Sequence, residues 1–304
     1  MLTSDRFTGV LAASLTPVDE KLAPNFSLMA EHCKWLLSNG CDGLAILGTT
    51  GEANSFSVKE KSEIMQGLVE RGIPGEKLLP GTGTCSIQDT IELTKISLDI
   101  GSRGALMLPP FYYKNPPDEG LYRYFSEIIQ NIAEDSLKIY LYHFPQMSSI
   151  PFSFKLIERL TKNYPNTVVG MKDSSGDLQN MIGAVRNFDN FCVLAGADDL
   201  FLELLENGGG GCITACANVS SSLSAQVYLG HSQGKDVSEA NKQLVAVRRS
   251  LSQFNLPGAL KALNARRTKN ETWKNVRPPL VIMEGENLQK LFATFDLIGY
   301  QIPE

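Results

Sequence analysis

The sequence predicts a TIM (β/α)8 barrel followed by a C-terminal helical appendix, and three observations carry that expectation. Short apolar runs recur eight times between residues 9 and 217, and each is followed by a segment whose apolar residues repeat near every 3.6 positions. The runs are continuously rather than alternately hydrophobic, which suits strands covered on both faces, as in a parallel sheet with crossover helices. The first run ends in Ser14-Leu15-Thr16-Pro17, not in the glycine fingerprint that usually opens a doubly wound sheet, the competing architecture.

In chain order, the expected strands lie at residues 9–17, 43–48, 78–83, 105–109, 138–144, 167–172, 191–196 and 212–217. Helical spacing follows them at 28–37, 58–69, 87–98, 120–132, 154–160, 178–185, 200–205 and 220–229. After His231 the pattern changes to helix without strands, at 238–254, 257–267 and 286–298, with Pro257 at a first-turn position and Pro278-Pro279 as a break. The division expected is a barrel over 1–231 and a helical region over 232–304 packed on it. The ordinary role of such an appendix is to cover the barrel side or join a subunit contact, and no residue in it demands chemistry.

A chain of 304 residues with 43% hydrophobic and 20% charged residues can build a full core without staples. The net charge of −5 and the lack of a dense Lys/Arg block make nucleic acid an unexpected partner. The opening Met1-Leu2-Thr3-Ser4-Asp5-Arg6 lacks the basic start and apolar core of a signal peptide, and no apolar stretch is long enough to cross a bilayer, so a cytoplasmic location without membrane contact is expected. The six cysteines are scattered, mostly in apolar context, and read as buried free thiols. Cys212 and Cys216 lack a matching second pair, and His32, His143 and His231 each stand alone, so no metal site is expected.

Barrels of this type place their active sites where strands end and loops begin. That rim collects Thr16, Gly48-Thr49-Thr50-Gly51-Glu52, Gly81-Thr82-Gly83, Pro110-Phe111-Tyr112-Tyr113, Tyr142, Lys172, Gly196 and Ile213. Lys172 closes the run Val168-Val169-Gly170-Met171 and precedes Asp173. Alone, a lysine there reads as a solvent-reaching side chain or a partner of Asp173; as a neutral amine it is also a nucleophile. Thr49-Thr50-Gly51 offers hydroxyls and consecutive N–H groups able to hold a carboxylate, although a tight turn with Glu52 near a helix start explains the same residues. Neither this loop nor Gly208-Gly209-Gly210-Gly211 ends as a nucleotide P-loop does. Strand alternation puts Tyr140, Tyr142 and Phe144 on one face and Leu141 and His143 on the other, so a Tyr142 facing the barrel mouth implies a structural His143 under the helices. Within reach of Lys172, the Tyr142 phenol can relay a proton.

Three motifs in this order, Gly48-Thr49-Thr50-Gly51-Glu52, Tyr142 with Pro145 three residues on, and Gly170-Met171-Lys172-Asp173, resemble the pyruvate-dependent class I lyases and synthases that include dihydrodipicolinate synthase, N-acetylneuraminate lyase and the 2-keto-3-deoxy sugar-acid aldolases. The resemblance implies that Lys172 forms a Schiff base with the 2-oxo carbon of pyruvate or a longer 2-oxo acid, without a separate cofactor. It implies that Tyr142 gives and takes protons with Thr49 in its relay, that Thr50 and the Gly48 loop hold the carboxylate, and that Gly196 and Ile213 contact substrate through backbone or packing. In the synthases a tyrosine from a neighbouring subunit completes the relay. Tyr113, with Tyr112 beside it, occupies that stretch, which implies at least a dimer and, by family habit, a homotetramer.

One departure bears on the substrate. Lysine-pathway synthases carry an arginine five residues after the tyrosine corresponding to Tyr142, holding the carboxylate of the aldehyde; this chain has Met147. A thioether cannot replace that bidentate contact, although Lys114 offers a charge from another direction. The segment Lys172-Asp173-Ser174-Ser175-Gly176-Asp177 also resembles the sugar-acid and hydroxy-oxoglutarate aldolases more than the synthases. The expected activity is cleavage or formation of a C–C bond between pyruvate and an aldehyde, on a 2-oxo acid such as 2-keto-3-deoxygluconate. The alternatives are dihydrodipicolinate synthase and a non-catalytic 2-oxo-acid-binding protein, which would need only the carboxylate-holding loop.

Overall fold

The computed structural model describes residues 6–304; the extreme N-terminal segment read above for leader character lies outside the described residues, apart from Arg6. Seven parallel strands, β1 (Gly9–Ala13), β2 (Gly43–Ala45), β3 (Ala105–Met107), β4 (Ile139–His143), β5 (Val168–Asp173), β6 (Cys192–Ala195) and β7 (Gly211–Thr214), pair in the order β2-β1-β7-β6-β5-β4-β3. Between them run α1 (Phe26–Ser38), α2 (Val58–Glu70), α3 (Ile87–Asp99), α4 (Asp118–Ile132), the single turn α5 (Pro145–Ser148), α6 (Phe154–Asn163), α7 (Leu178–Asn187) and α8 (Phe201–Glu206), with α9 (Ala217–Ser232) after β7. The barrel expectation is met with one correction.

The segment expected as a strand at 78–83 forms bridges on both sides but no continuous ladder. Pro80 has no N–H to donate, which interrupts regular pairing there. Leu79 N and Gly81 N still donate to Leu44 O and Ile46 O at 2.9 and 2.8 Å, while Leu106 N donates to Pro80 O at 2.8 Å. The segment thus fills the seam between β2 and β3 and closes the ring.

Side chains from alternate strand positions fill the barrel interior, among them Leu11, Ala45, Leu106, Tyr140, Leu194 and Ile213, while Val10, Leu44, Leu141 and Val193 face the helices. On β5 this alternation is offset by a bulge. Ile139 opposes Val168 but Tyr140 opposes Gly170, so Val169 is an extra residue in the ladder. The offset aligns Lys172 rather than Met171 with Tyr142. Gly170 permits it, because a Cβ there would run into the Cys192 carbonyl of β6.

The appendix consists of α10 (Ser238–Leu251), α11 (Leu256–Thr268) and α12 (Gly285–Leu297). Asn25, Ser57, Ser86, Ser153, Asp177 and Asn255 cap helix starts with their side chains, which satisfies N–H groups the helices leave open. Helix α10 packs against α9 and α12, and α11 against α9 and the turn Glu271–Lys274. Cys33, Cys41, Cys192, Cys212 and Cys216 are buried free thiols, whereas Cys85 is exposed. Among the described residues, no helix is long and apolar enough to cross a membrane.

Candidate active site

A cleft of about 800 Å3 opens at the C-terminal ends of the strands, and Lys172, Tyr142, Thr49, Thr50 and Gly196 all line it. Lys172 is only 4% exposed. Its Nζ donates to Tyr142 Oη at 3.4 Å and lies 4.4 Å from the centre of that ring. Tyr142 Oη in turn lies 3.2 Å from Thr49 Oγ1, with either hydroxyl able to donate, and the ring stacks on Phe144 at 5.8 Å. The result is a hydrogen-bonded line from amine to phenol to hydroxyl, held by β5, β4 and the loop after β2.

Pairing of Lys172 with Asp173 is not what the fold builds. Strand alternation turns Asp173 to the helix side, where its carboxylate accepts from Ser175 N at 2.8 Å and Asn180 Nδ2 at 2.6 Å. Among the described residues Lys172 makes no ion pair. His143 sits on the same outer side, where its Nδ1 accepts from Phe152 N at 3.1 Å. Burial pushes its pKa down against the pull of Asp173 and Asp177, so the neutral ring is a structural acceptor.

The loop after β2 turns sharply, with Ala53 N donating to Gly48 O and Glu52 N to Thr49 O. Among the described residues, the N–H groups of Thr50 and Gly51 meet no protein acceptor, so they remain available beside the Thr50 hydroxyl for an anion. A side chain at Gly51 would press on the Ser14 carbonyl at 2.8 Å, which explains the glycine. Gly48 lies just beneath, in a small hollow with Gly81 and Tyr142. Gly196 is tied by its N–H to Asp173 O at 2.7 Å.

Two expected positions lie elsewhere. Ile213 is fully buried in the barrel interior and does not line the cleft; Ala215 and Cys216, beyond the end of β7, do so instead. Tyr113 is 79% exposed and packs edge-on against Tyr112, with ring centres 5.4 Å apart, outside the cleft of its own chain. Lys114 also stays out of the cleft, its Nζ donating to the carbonyls of Phe111 at 2.5 Å and Ser148 at 3.5 Å. Met147 lines the cleft and is largely exposed.

The appendix contributes more than cover. Arg248, Phe254, Leu256 and Pro257 line the cleft. Glu52, held at φ 57°, has its carboxylate bonded by Lys261 Nζ from α11 and by Arg277 N at 2.7 Å, with both ionic side chains fully buried. Lys261 also donates to Asn275 O at 2.8 Å. Burial pushes the Lys261 pKa down and Glu52 pulls against it. Arg277 continues the network to Glu60, whose carboxyl it holds down at about 2, and to the carbonyls of Leu22 and Ser55. The loop carrying Thr49 and Thr50 is therefore pinned from the appendix. Neither Arg248 nor Lys261 stands out in sequence, since both lie on helices whose charged residues ordinarily face solvent.

This is a barrel with a buried lysine beside a phenol in an open cleft at the strand ends, where barrels of this type carry their active sites. The chain belongs to the dihydrodipicolinate synthetase family, which it matches over residues 6–297, and it is a lyase of that family. It is similar to an uncharacterized DapA-like lyase of Chloroflexus aurantiacus, 31% identical over 95% of this chain and 96% of the relative. The 4-hydroxy-tetrahydrodipicolinate synthase of Bacillus subtilis is 30% identical over 95% of this chain and 98% of that protein. Among solved structures, dihydrodipicolinate synthase from Agrobacterium tumefaciens superposes with a TM-score of 0.89 at 29% identity, covering 96% of this chain and 99% of that one.

Proposed function

We propose that this lyase binds pyruvate or a longer 2-oxo acid as a Schiff base on Lys172 and makes or breaks the C3–C4 bond to an aldehyde. The observation that carries the reading is the line Lys172 Nζ, Tyr142 Oη, Thr49 Oγ1 within one cleft. The amine adds to the 2-oxo carbon, Tyr142 passes protons as the carbinolamine loses water, and the iminium forms. Removal of the C4 hydroxyl proton by Tyr142 then lets C3–C4 break, the iminium taking the electron pair to become an enamine while the aldehyde departs. Protonation at C3 and addition of water return pyruvate and the free amine. The iminium is itself the electron sink, so the reaction invokes no metal or organic cofactor.

Thr50, with the N–H groups of the Thr49-Thr50-Gly51 turn, holds the carboxylate in this reading, the Gly48 hollow sits below, and Gly196 and Ile213 bound the site by backbone and by packing from beneath. A pocket of about 800 Å3 is ample for pyruvate together with a second reactant. Met147 in place of a carboxylate-clamping arginine, with Lys114 turned away, favours an aldehyde half bearing hydroxyls, as in 2-keto-3-deoxy sugar acids. Relatives named 4-hydroxy-tetrahydrodipicolinate synthase support the second reading, condensation with aspartate semialdehyde. The exposed Tyr112-Tyr113 pair supports a homo-oligomer, a dimer or tetramer in the cytoplasm, in which Tyr113 enters the neighbouring cleft.

Direct assay separates the two substrates. Cleavage of 2-keto-3-deoxygluconate or a close relative is expected at a higher kcat/KM than condensation of pyruvate with aspartate semialdehyde. Efficient condensation without sugar-acid cleavage would reverse the assignment. Tyr142→Phe should fold normally and slow turnover by roughly 10²–10⁴-fold, the usual worth of a positioned proton donor and acceptor. Turnover near that of the unmodified enzyme would leave this ring a packing role only.

A further inference from the structure

Arg248 is a feature of the cleft that Schiff-base chemistry at Lys172 leaves unused. It lies near the end of α10 and lines the cleft with Asp199, Leu200 and Phe254. Its side chain is 26% exposed, and its Nε stands 3.9 Å from Asp199 Oδ1, too far for a hydrogen bond. A guanidinium presents five N–H donors in a planar fork. Among the described residues, no carboxylate or carbonyl accepts from this one within hydrogen-bond range; the Cys216 thiol and the Asp198 carboxyl are its other polar neighbours. The adjacent carboxyl, Asp198, is buried and taken up by the Thr214 hydroxyl, which donates to it at 2.7 Å. Burial raises the pKa of Asp198 against the pull of the Thr214 hydroxyl and of Arg248, so both Asp198 and Asp199 face the guanidinium.

Of the other cations around the site, Lys61 lies in the hollow beneath Thr49 and does not line the cleft. Lys172 is the nucleophile of the proposed reaction, Lys261 and Arg277 bond Glu52 and Glu60, and Lys114 points outside the cleft. Arg248 makes no hydrogen bond to a carboxylate or carbonyl among the described residues, and its 26% exposed side chain turns donors toward the cleft. It approaches from above the β6 and β7 ends, since α10 packs on the turn Asp198–Leu200. Met147 lies after β4, a different part of the rim.

We propose that Arg248 binds a terminal carboxylate or phosphate on the aldehyde half of the substrate, with Asp199 holding the guanidinium by its Nε edge. The assignment rests on the lyase reading above and narrows it, among the 2-keto-3-deoxy sugar acids, from 2-keto-3-deoxygluconate itself to close relatives whose hydroxyl-bearing aldehyde half ends in a second anion, the first carboxylate at the Thr50 loop and the second anion at Arg248. A planar fork suits either anion through two parallel hydrogen bonds.

The test is condensation of pyruvate with three probes: glyceraldehyde, which is neutral, glyceraldehyde 3-phosphate, and tartronate semialdehyde, which carries a carboxylate. The unmodified enzyme should prefer one of the anionic probes by at least about tenfold in kcat/KM, and the two anionic arms tell phosphate from carboxylate. Arg248→Gln should cut that preference about 10–100-fold, the worth of a charge-assisted contact, and Arg248→Lys should retain part of it. In the unmodified enzyme, inorganic phosphate or malonate should compete with the anionic probe, a reading that does not depend on how any variant folds. No preference for either anion, no such competition, or a ratio within about threefold in Arg248→Gln would overturn the assignment. Borohydride trapping of pyruvate in the same samples separates the two levels: an adduct on Lys172 without the ratio change sinks Arg248 alone, while no adduct sinks the lyase reading beneath it.

Discussion

Lys172→Ala is expected to fold and to lose turnover by at least about 10⁴-fold, because it removes the covalent route and the positioned amine together. The side chain is buried at the end of β5, its nearest polar partner is the Tyr142 phenol, and the carboxylate of Asp173 is held on the opposite face. Nothing structural depends on its charge, so a thermal midpoint near that of the unmodified protein should accompany the lost activity. Steady-state assay of C–C cleavage together with a melting curve checks both halves. Residual turnover within about tenfold of the original would assign the chemistry to another group.

Lys261→Met should have the largest effect on stability. It strands the Glu52 carboxylate in a fully buried position where Lys261 Nζ and the Arg277 N–H had been its donors. Removing one partner of a buried pair costs roughly 3–5 kcal/mol, because the remaining charge is neither solvated nor compensated. Denaturant titration measures it, and adding Glu52→Gln to the variant should recover much of the loss by removing the stranded charge. A change under about 1 kcal/mol in the single variant would mean that water reaches Glu52. Because Glu52 ends the loop bearing Thr49 and Thr50, the variant should also raise KM for pyruvate.

The alternation of apolar runs with helical spacing makes the barrel legible, since that periodicity is a local property of the chain. What the runs do not carry is the ladder itself. Pro80 sits inside an apolar run and still removes a donor from the ring, and the bulge at Val169 is seen only when β4 and β5 are paired. Lys172, Tyr142 and Thr49 are legible because each ends a strand or begins its loop, and the barrel brings all such ends to one rim. Lys261 meets Glu52 across 209 residues of sequence, and Arg248 enters the cleft through the packing of α10 on the turn Asp198–Leu200. On their own helices both read as ordinary surface charges, and only tertiary packing turns them inward. Ile213 shows the converse: a strand position expected at the rim lies below it, filling the barrel.

Covalent capture of a 2-oxo acid by Lys172 is read by incubating the protein with pyruvate, reducing with borohydride and mapping the product by intact-mass and peptide mass spectrometry. Reduction fixes an iminium that would otherwise hydrolyse, so a single pyruvate-derived adduct is expected on the peptide carrying Lys172 and none in Lys172→Ala. No adduct, or an adduct on a different lysine, would contradict it.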